Sequence, residues 1–444
     1  MFKNLDFFRL NDQLPGDIAR RKAAGDLEGA ARLIKARLAE DTQPELAPRL
    51  RAELLRLELL PTDYVFTREE AIARVKAEWP EFTGERFDAL VDDGRIDWRY
   101  IHGEPRFHDR FLESLRLYPK LAPGLTPEEQ DNEERDRVLA RMRAEGGLTA
   151  RITIRASVKP AAGVTGSRSQ AWLPLPAACP QQSEIEILDA TPGGVPAPED
   201  APQRTIWWPE SDTREFFVTY RYLHRADYID PLTIAPDPEQ PDFDTGEEEP
   251  HIVFTPYLRA LTARVTYGIQ DPVQKAKAIY DYITGNVDYR FQPDYLQLES
   301  IAHQCAVELR GDCGVMALLF ITMCRIAKIP AKWQSGLAAR PGSTGCHDWA
   351  MFYVAPHGWL WADCSFGSSA RRQGEEERRR HYFGNLDPWR MVANSEFYVP
   401  LTPADPEWRA DPYDNQRGEM IVDGKGLSSG LLEAEQELVE FTLL

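Results

Sequence analysis

A chain of 444 residues is longer than one small hydrophobic core organises, and predicts two or three domains. Its 43% hydrophobic and 28% charged residues are ordinary for a globular protein, while 52 basic against 71 acidic residues give a formal charge of −19. That balance argues against nucleic acid or an anionic membrane as the principal partner.

In chain order, residues 1–147 read as helical. Ile18, Ala24, Leu27, Ala31, Ile34 and Leu38 recur at three- and four-residue spacing between Asp17 and Glu40, and Leu50, Leu54 and Leu57 do so between Leu46 and Leu60. Thr67-Arg68-Glu69-Glu70 is a capping box, and Thr126-Pro127-Glu128-Glu129 opens a further helix that Gly146-Gly147 stops. Ile96 to Gly103 reads as extended. This region is expected to be a packing accessory rather than a recognition module. From Leu148 the period changes to two: Ile152, Ile154, Ala156 and Val158 alternate, and Trp172-Leu173-Pro174-Leu175-Pro176, Ile185–Leu188, Ile206–Trp208 and Phe216–Tyr222 follow. Short strands between turn clusters predict a β-sandwich. Asp230 to Pro250, rich in Pro, Asp and Glu, reads as an acidic linker or exposed loop.

The chemistry concentrates in residues 311–366. Val315 to Ala327 is almost wholly apolar, so its helix belongs inside a domain; Asp312 is placed to cap it and Ile329-Pro330 to end it. Cys313 then lies in the first turn, where unpaired N–H groups and the helix dipole favour a thiolate. Cys346 to Val354 and Trp359 to Asp363 form a hairpin about Ala355-Pro356-His357-Gly358. His347 and Asp363 fall within about two positions of each other across it, near enough for a hydrogen bond. Strand alternation turns the rival carboxylate, Asp348, away from His347. A cysteine, a histidine and an aspartate so arranged suit nucleophilic acyl chemistry. Cys305 and Cys324 read as structural thiols, and His303, His357 and His381 as the rival histidines.

Arg310-Gly311-Asp312-Cys313, the apolar helix, Lys328-Ile329-Pro330-Ala331, Ser335-Gly336, His347-Asp348-Trp349-Ala350 and Gly358-Trp359-Leu360-Trp361-Ala362-Asp363 together resemble the transglutaminase-like superfamily of papain-type cysteine enzymes, in its bacterial form. Upstream, Ala278–Ile283 and Asn286…Tyr289 resemble the segment preceding the nucleophile. The resemblance covers roughly residues 255–400. It implies Cys313 as nucleophile, His347 as base and Asp363 as the orienting group. Lys328 stands where the family usually has Gly, a departure expected to be harmless at a helix end.

The expected fold class is therefore α+β and multidomain: a helical N-terminal domain (1–147), a β-sandwich domain with its acidic linker (148–250), a transglutaminase-like, papain-like catalytic core (251–400) and a C-terminal tail (401–444). The expected activity is a cysteine peptidase or amidase, with a transglutaminase-type acyltransferase or a non-catalytic binding module as alternatives. Oxyanion donors are expected from the Cys313 N–H and one of Tyr289, Gln304 and Trp349. Trp361 and His381 are substrate-binding candidates, and the charged run Ser368–Arg380 is either a solvated face or a carboxylate-binding cover.

Six cysteines without a Cys-x2-Cys or His-x3-His pair predict neither a disulfide framework nor zinc. The sequence shows no phosphate-cradling Gly-rich loop and no EF-hand spacing, so no metal or cofactor is expected. The expected partner is a peptide or protein substrate, with no nucleic acid and no membrane. No apolar run reaches the roughly 18 residues that span a bilayer. Met1-Phe2-Lys3-Asn4-Leu5-Asp6 lacks the pattern of a secretory leader, so the expected location is the cytoplasm.

Overall fold

The computed structural model describes residues 4–40, 43–126, 132–403, 409 and 413–444. It divides into two compact units: residues 1–131 with 289–300, and residues 132–288 with 301–444. The first unit is helical around a small sheet of the strands Tyr64–Phe66, Glu104–His108 and Trp98–Ile101. The single helix expected over Asp17–Glu40 is two, Gly16–Ala23 and Leu27–Glu40. Gly25 between them has φ +75°, and a Cβ there would lie 2.9 Å from the backbone of Tyr100 and Gly103. The Thr67–Glu70 capping box forms in full. Of the helix start expected at Thr126, residues 127–131 lie outside the described residues; the helix runs Asn132–Glu145 and belongs to the second unit.

The second unit combines three antiparallel sheets. One holds Leu432–Leu443, Gly147–Pro160, Phe216–Asp227 and Gln182–Ala190 in that order. A second runs Lys425–Gly426, Glu419–Val422, Ser169–Pro174, Thr205–Ser211 and Val195–Pro196. Their inner faces share one core, including Ile152, Ile154, Leu173, Trp208, Val218 and Met420, which makes them a sandwich. Two features depart from the expected boundaries. Residues 419–443 are not a tail: they supply strands to both sheets, the last pairing along nearly the whole of Gly147–Pro160. The sandwich core also continues into Leu337, Ala339, Met391 and Ala393 of the third sheet, so sandwich and core pack as one unit.

That third sheet, ordered Phe383–Gly384, Gly358–Ala362, Ser343–Val354, Ala331–Arg340, Arg390–Asn394, carries the site. The helix Cys313–Ile326 packs on it, with Phe320 edge-on to Phe352 at 5.8 Å. Nine large or small apolar side chains from Val315 to Cys324 are buried; each large one contributes on the order of 1.5–3 kcal/mol, which anchors the helix start in place. The helix ends with Lys328 at φ +63°, the left-handed position that glycine occupies at no cost. The lysine departure is therefore not free: a side chain in that conformation costs about 1–2 kcal/mol. Gly336, opposite His347 in register, lets strand Arg390–Asn394 approach so closely that a Cβ would fall 2.0 Å from the Met391 carbonyl oxygen.

The 230–250 segment has one 3-10 turn, Pro231–Thr233, and is not simply a solvated connector. Phe243 packs edge-on to Tyr353 at 5.0 Å, and Glu248 pairs with Arg325 at 3.2 Å.

Candidate active site

Asp312 caps the buried helix, its Oδ1 accepting from the Val315 N–H at 3.1 Å, so Cys313 becomes the first helical residue. The thiol donates to Asp348 Oδ2 at 3.2 Å, and the Asp348 backbone N–H donates to the sulfur. Burial, followed by the charges of Asp348 and Asp312, pushes the thiol well above its ordinary value. The thiolate expected from the helix dipole is thus not the resting form: two carboxyls and desolvation outweigh a half-charge at a helix end.

Asp348 is itself 6% exposed, and burial, Asp414 and Asp312 raise its pKa well above the carboxylate range. The Gln416 amide bridges it to Asp414, donating to Asp348 Oδ1 and, at 2.7 Å, to Asp414 Oδ2. Asp414 also accepts from the Ser335 hydroxyl, which accepts from Asn394 Nδ2 at 3.0 Å. Like-charged carboxyls buried together favour the protonated form, because only a proton or a cation can relieve them.

The other side of the site is the opposite. His347 Nε2 and Asp363 Oδ2 lie 2.7 Å apart, and the imidazole stacks on Phe366 at 4.2 Å. Asp363, fully buried just past the strand Gly358–Ala362, caps the next helix: Oδ1 accepts from the Phe366 N–H (2.9 Å) and the Ser365 hydroxyl (3.0 Å). Its Oδ2 also accepts from Arg390 Nη2 at 2.9 Å. Burial alone would raise this carboxyl, but His347, Arg390 and the hydrogen bonds outweigh it and hold it well below the usual range. No hydrogen bond joins Cys313 to His347; the thiol faces the next residue along the strand.

The remaining candidates lie as follows. The Trp349 indole N–H donates to Gln334 Oε1 at 2.8 Å within the fully buried interior, and Trp361 donates to the same oxygen at 3.2 Å. Gln304 donates to Glu308 at 3.3 Å along its own helix. Tyr289 belongs to the first unit, where its carbonyl accepts from the Tyr118 hydroxyl at 2.9 Å. His381 is not a cleft residue: it is 2% exposed, hydrogen-bonded to the Leu386 carbonyl at 3.0 Å, and pushed down to about 4 by burial. Two arginines of the charged run are paired within the fold, Arg378 with Asp136 at 3.1 Å and Arg379 with Asp281 at 2.6 Å. His357 is exposed in its turn, and His303 Nδ1 lies 2.9 Å from the Thr255 hydroxyl.

Residues that sequence reasoning passed over are Asp348 in its contact with the thiol, Gln416 and Asp414, and Arg390 with Asp387. The Asp387-x-x-Arg390 spacing beside apolar residues was the one local signal for the last pair.

Residues 259–364, which include Cys313, His347 and Asp363, match the family described as the transglutaminase-like superfamily. No curated protein matches the chain. Among solved structures, it is similar to a candidate cysteine protease from Cytophaga hutchinsonii, with 15% identity over 66% of this chain and 91% of that one and a TM-score of 0.42. It is also similar to the periplasmic domain of TgpA from Pseudomonas aeruginosa, with 14% identity over 55% of this chain and 95% of that one and a TM-score of 0.27. No helix among the described residues is long and apolar enough to cross a membrane.

Proposed function

We propose that the chain, whose residues 259–364 match the transglutaminase-like superfamily, is a cysteine peptidase or amidase acting on peptide or protein amides. The observation that carries this reading is the 2.7 Å His347–Asp363 pair, buried within the same core as a cysteine at a helix start. In the reaction, the thiol leaves Asp348 and gives its proton to His347 while sulfur attacks the amide carbon. The carbonyl electron pair moves onto oxygen, where the Cys313 N–H, a first-turn donor without an intrahelical acceptor, is placed to receive it. Collapse breaks the carbon–nitrogen bond, and the amine departs with the proton from His347. Water then attacks the thioester, His347 takes its proton, and release of the acid returns the proton to sulfur. Asp363, ionised throughout, holds the imidazole in one tautomer and balances its charge.

An amine in place of water would make the same thioester step a transamidation. A non-catalytic role is favoured by one specific observation, the half-buried thiol engaged by Asp348. An acyl-transfer probe carrying an amide-like electrophile, followed by intact-protein and peptide mass spectrometry, separates these readings. One adduct, on Cys313 alone and released on standing with water or an amine, is the expected result; a protein that takes no adduct is a binding module.

A further inference from the structure

Behind Asp363 lies a buried ion system that the reaction above leaves unused. Arg390, first residue of the strand Arg390–Asn394, is completely buried. Its Nη2 donates to Asp363 Oδ2 at 2.9 Å and to Asp387 Oδ2 at 2.6 Å, while Nε donates to Asp387 Oδ1 at 2.8 Å. The guanidinium lies over Phe366 at 4.6 Å and Trp349 at 5.0 Å. Phe366 is also the ring on which His347 stacks, so one aromatic side chain contacts both the imidazole and the cation.

This arrangement is costly to build. Three full charges are held away from water, and a guanidinium so placed stabilises little unless its partners are exact in geometry. Asp387 meets that need by engaging Arg390 through both oxygens, the fork geometry that suits arginine and not lysine. One further N–H of the fork is left for the oxygen of Asp363 that also meets His347. The guanidinium therefore fixes the carboxylate in position, and it competes with the imidazole for the same oxygen.

We infer that Arg390, backed by Asp387, is a positioning residue for the proposed reaction: it locks Asp363 onto His347 and sets how strongly that carboxylate holds the proton His347 carries. The inference rests on the reading of His347 as base. Asp387 sets the strength of the competition, because what it draws from Arg390 is withheld from Asp363. The other ionisable groups facing the cluster are Tyr382, which donates to Asp387 at 3.1 Å; His224 and His381, both pushed down to about 4 by burial; Arg135, beside Tyr382; and Tyr280 and Cys364, which both feel the charge of Asp363. On the thiol side, Asp348 and Cys313 complete the set.

The two ends of the relay act in opposite directions. In Asp387→Asn, the whole charge of Arg390 falls on Asp363, which then favours the protonated imidazole less. In Arg390→Gln, Asp363 is released from its competitor and favours it more. The acidic limb of the kcat/KM profile, where His347 must lose its proton to act as base, is expected to move down in the first variant and up in the second, by about one pH unit each, with Arg390→Lys in between. KM at the optimum is expected to change less than kcat. The same variants in a Cys313→Ala background are read by proton NMR, following the hydrogen-bonded Nε2 proton of His347 without any turnover. Its signal is expected to persist in Asp387→Asn and to broaden into exchange in Arg390→Gln.

Shifts in the same direction, or an Nε2 proton indifferent to both substitutions, overturn the inference. Should Arg390→Gln not fold, Asp387→Asn carries the test, and an unmoved limb and unmoved NMR signal refute it. An absent activity with the NMR result as expected counts against the proposed reaction and leaves the positioning role standing.

Discussion

His347 and Asp348 are neighbours in the chain, yet they open onto two electrostatic environments that could hardly differ more. The carboxyl paired with His347, Asp363, is wholly buried and ionised, because a guanidinium, an imidazole, a hydroxyl and a backbone N–H converge on it. The carboxyl of Asp348 is almost as buried and is held toward its neutral form, because its neighbours are a thiol, an amide and two more carboxyls. Desolvation is the largest single effect in both cases and acts in the same direction. What separates them is the sign of the charges that burial brings along. One side of the site is built to hold a charge, the other to keep a proton near sulfur.

The sharpest way to test that division is to remove each part in turn. Cys313→Ala is expected to abolish acyl-adduct formation and turnover altogether, by mass spectrometry and a continuous assay, since the proposed reaction passes through no other sulfur.

Asp363→Asn should cost on the order of 10²–10⁴ in kcat/KM, about 3–5 kcal/mol, because the orienting charge is lost while sulfur remains. The same substitution tests the ionised state through stability. The folded Asp363 carboxyl is depressed, so its contribution is present above the ordinary carboxylate range and is lost as pH falls through the folded value. Denaturant unfolding is expected to show the native protein losing its advantage over Asp363→Asn as the solution is acidified below about pH 4. A gap that stays constant with pH would falsify the ionised assignment.

Asp348→Asn should do the reverse of Asp363→Asn at the thiol. It replaces the carboxyl that accepts the Cys313 S–H and keeps a proton near sulfur by an amide that can donate to sulfur, so iodoacetamide should alkylate Cys313 faster, by about tenfold near neutral pH, with the rate–pH curve displaced to lower pH. An unchanged curve would mean that burial alone protonates the thiol. Gln416→Leu should have the smallest effect, about two- to threefold in the same alkylation assay, because it loosens Asp348 without removing its carboxyl from the thiol.

Much of the architecture is readable from local pattern. The apolar run after Cys313 could only be an interior helix, Asp312 could only cap it, and the aromatic hairpin carries His347 toward Asp363. Alternation separates Asp348 from His347, and the two have separate partners in the structure, but it does not announce the contact of Asp348 with the thiol. His347 and Asp348 lie beyond the stretch paired with Gly358–Ala362, which begins at Ala350, and pair only with Gly336 and Ser335 on the other side. Arg390, Asp387 and Gln416 reach the site from sequence far downstream, and no periodicity announces a contact of that range. The Glu-rich alternation of Leu432–Leu443 resembles a solvated segment because one face of that strand is indeed exposed.

The placement of that last strand has a consequence for how the molecule forms. Leu432–Leu443 joins Gly147–Pro160 across almost the full span of the second unit, and Gln416 hangs from the short stretch between the core sheet and the sandwich. Pairings of this range pay loop-closure entropy before any contact repays it, so they complete late in folding. Until they do, Asp348 lacks the amide that holds it, and the nascent Cys313 has neither its cage nor its protonating neighbours. The thiol is then a clock for folding: most readily alkylated early in refolding, and silenced as the farthest segments of the chain meet.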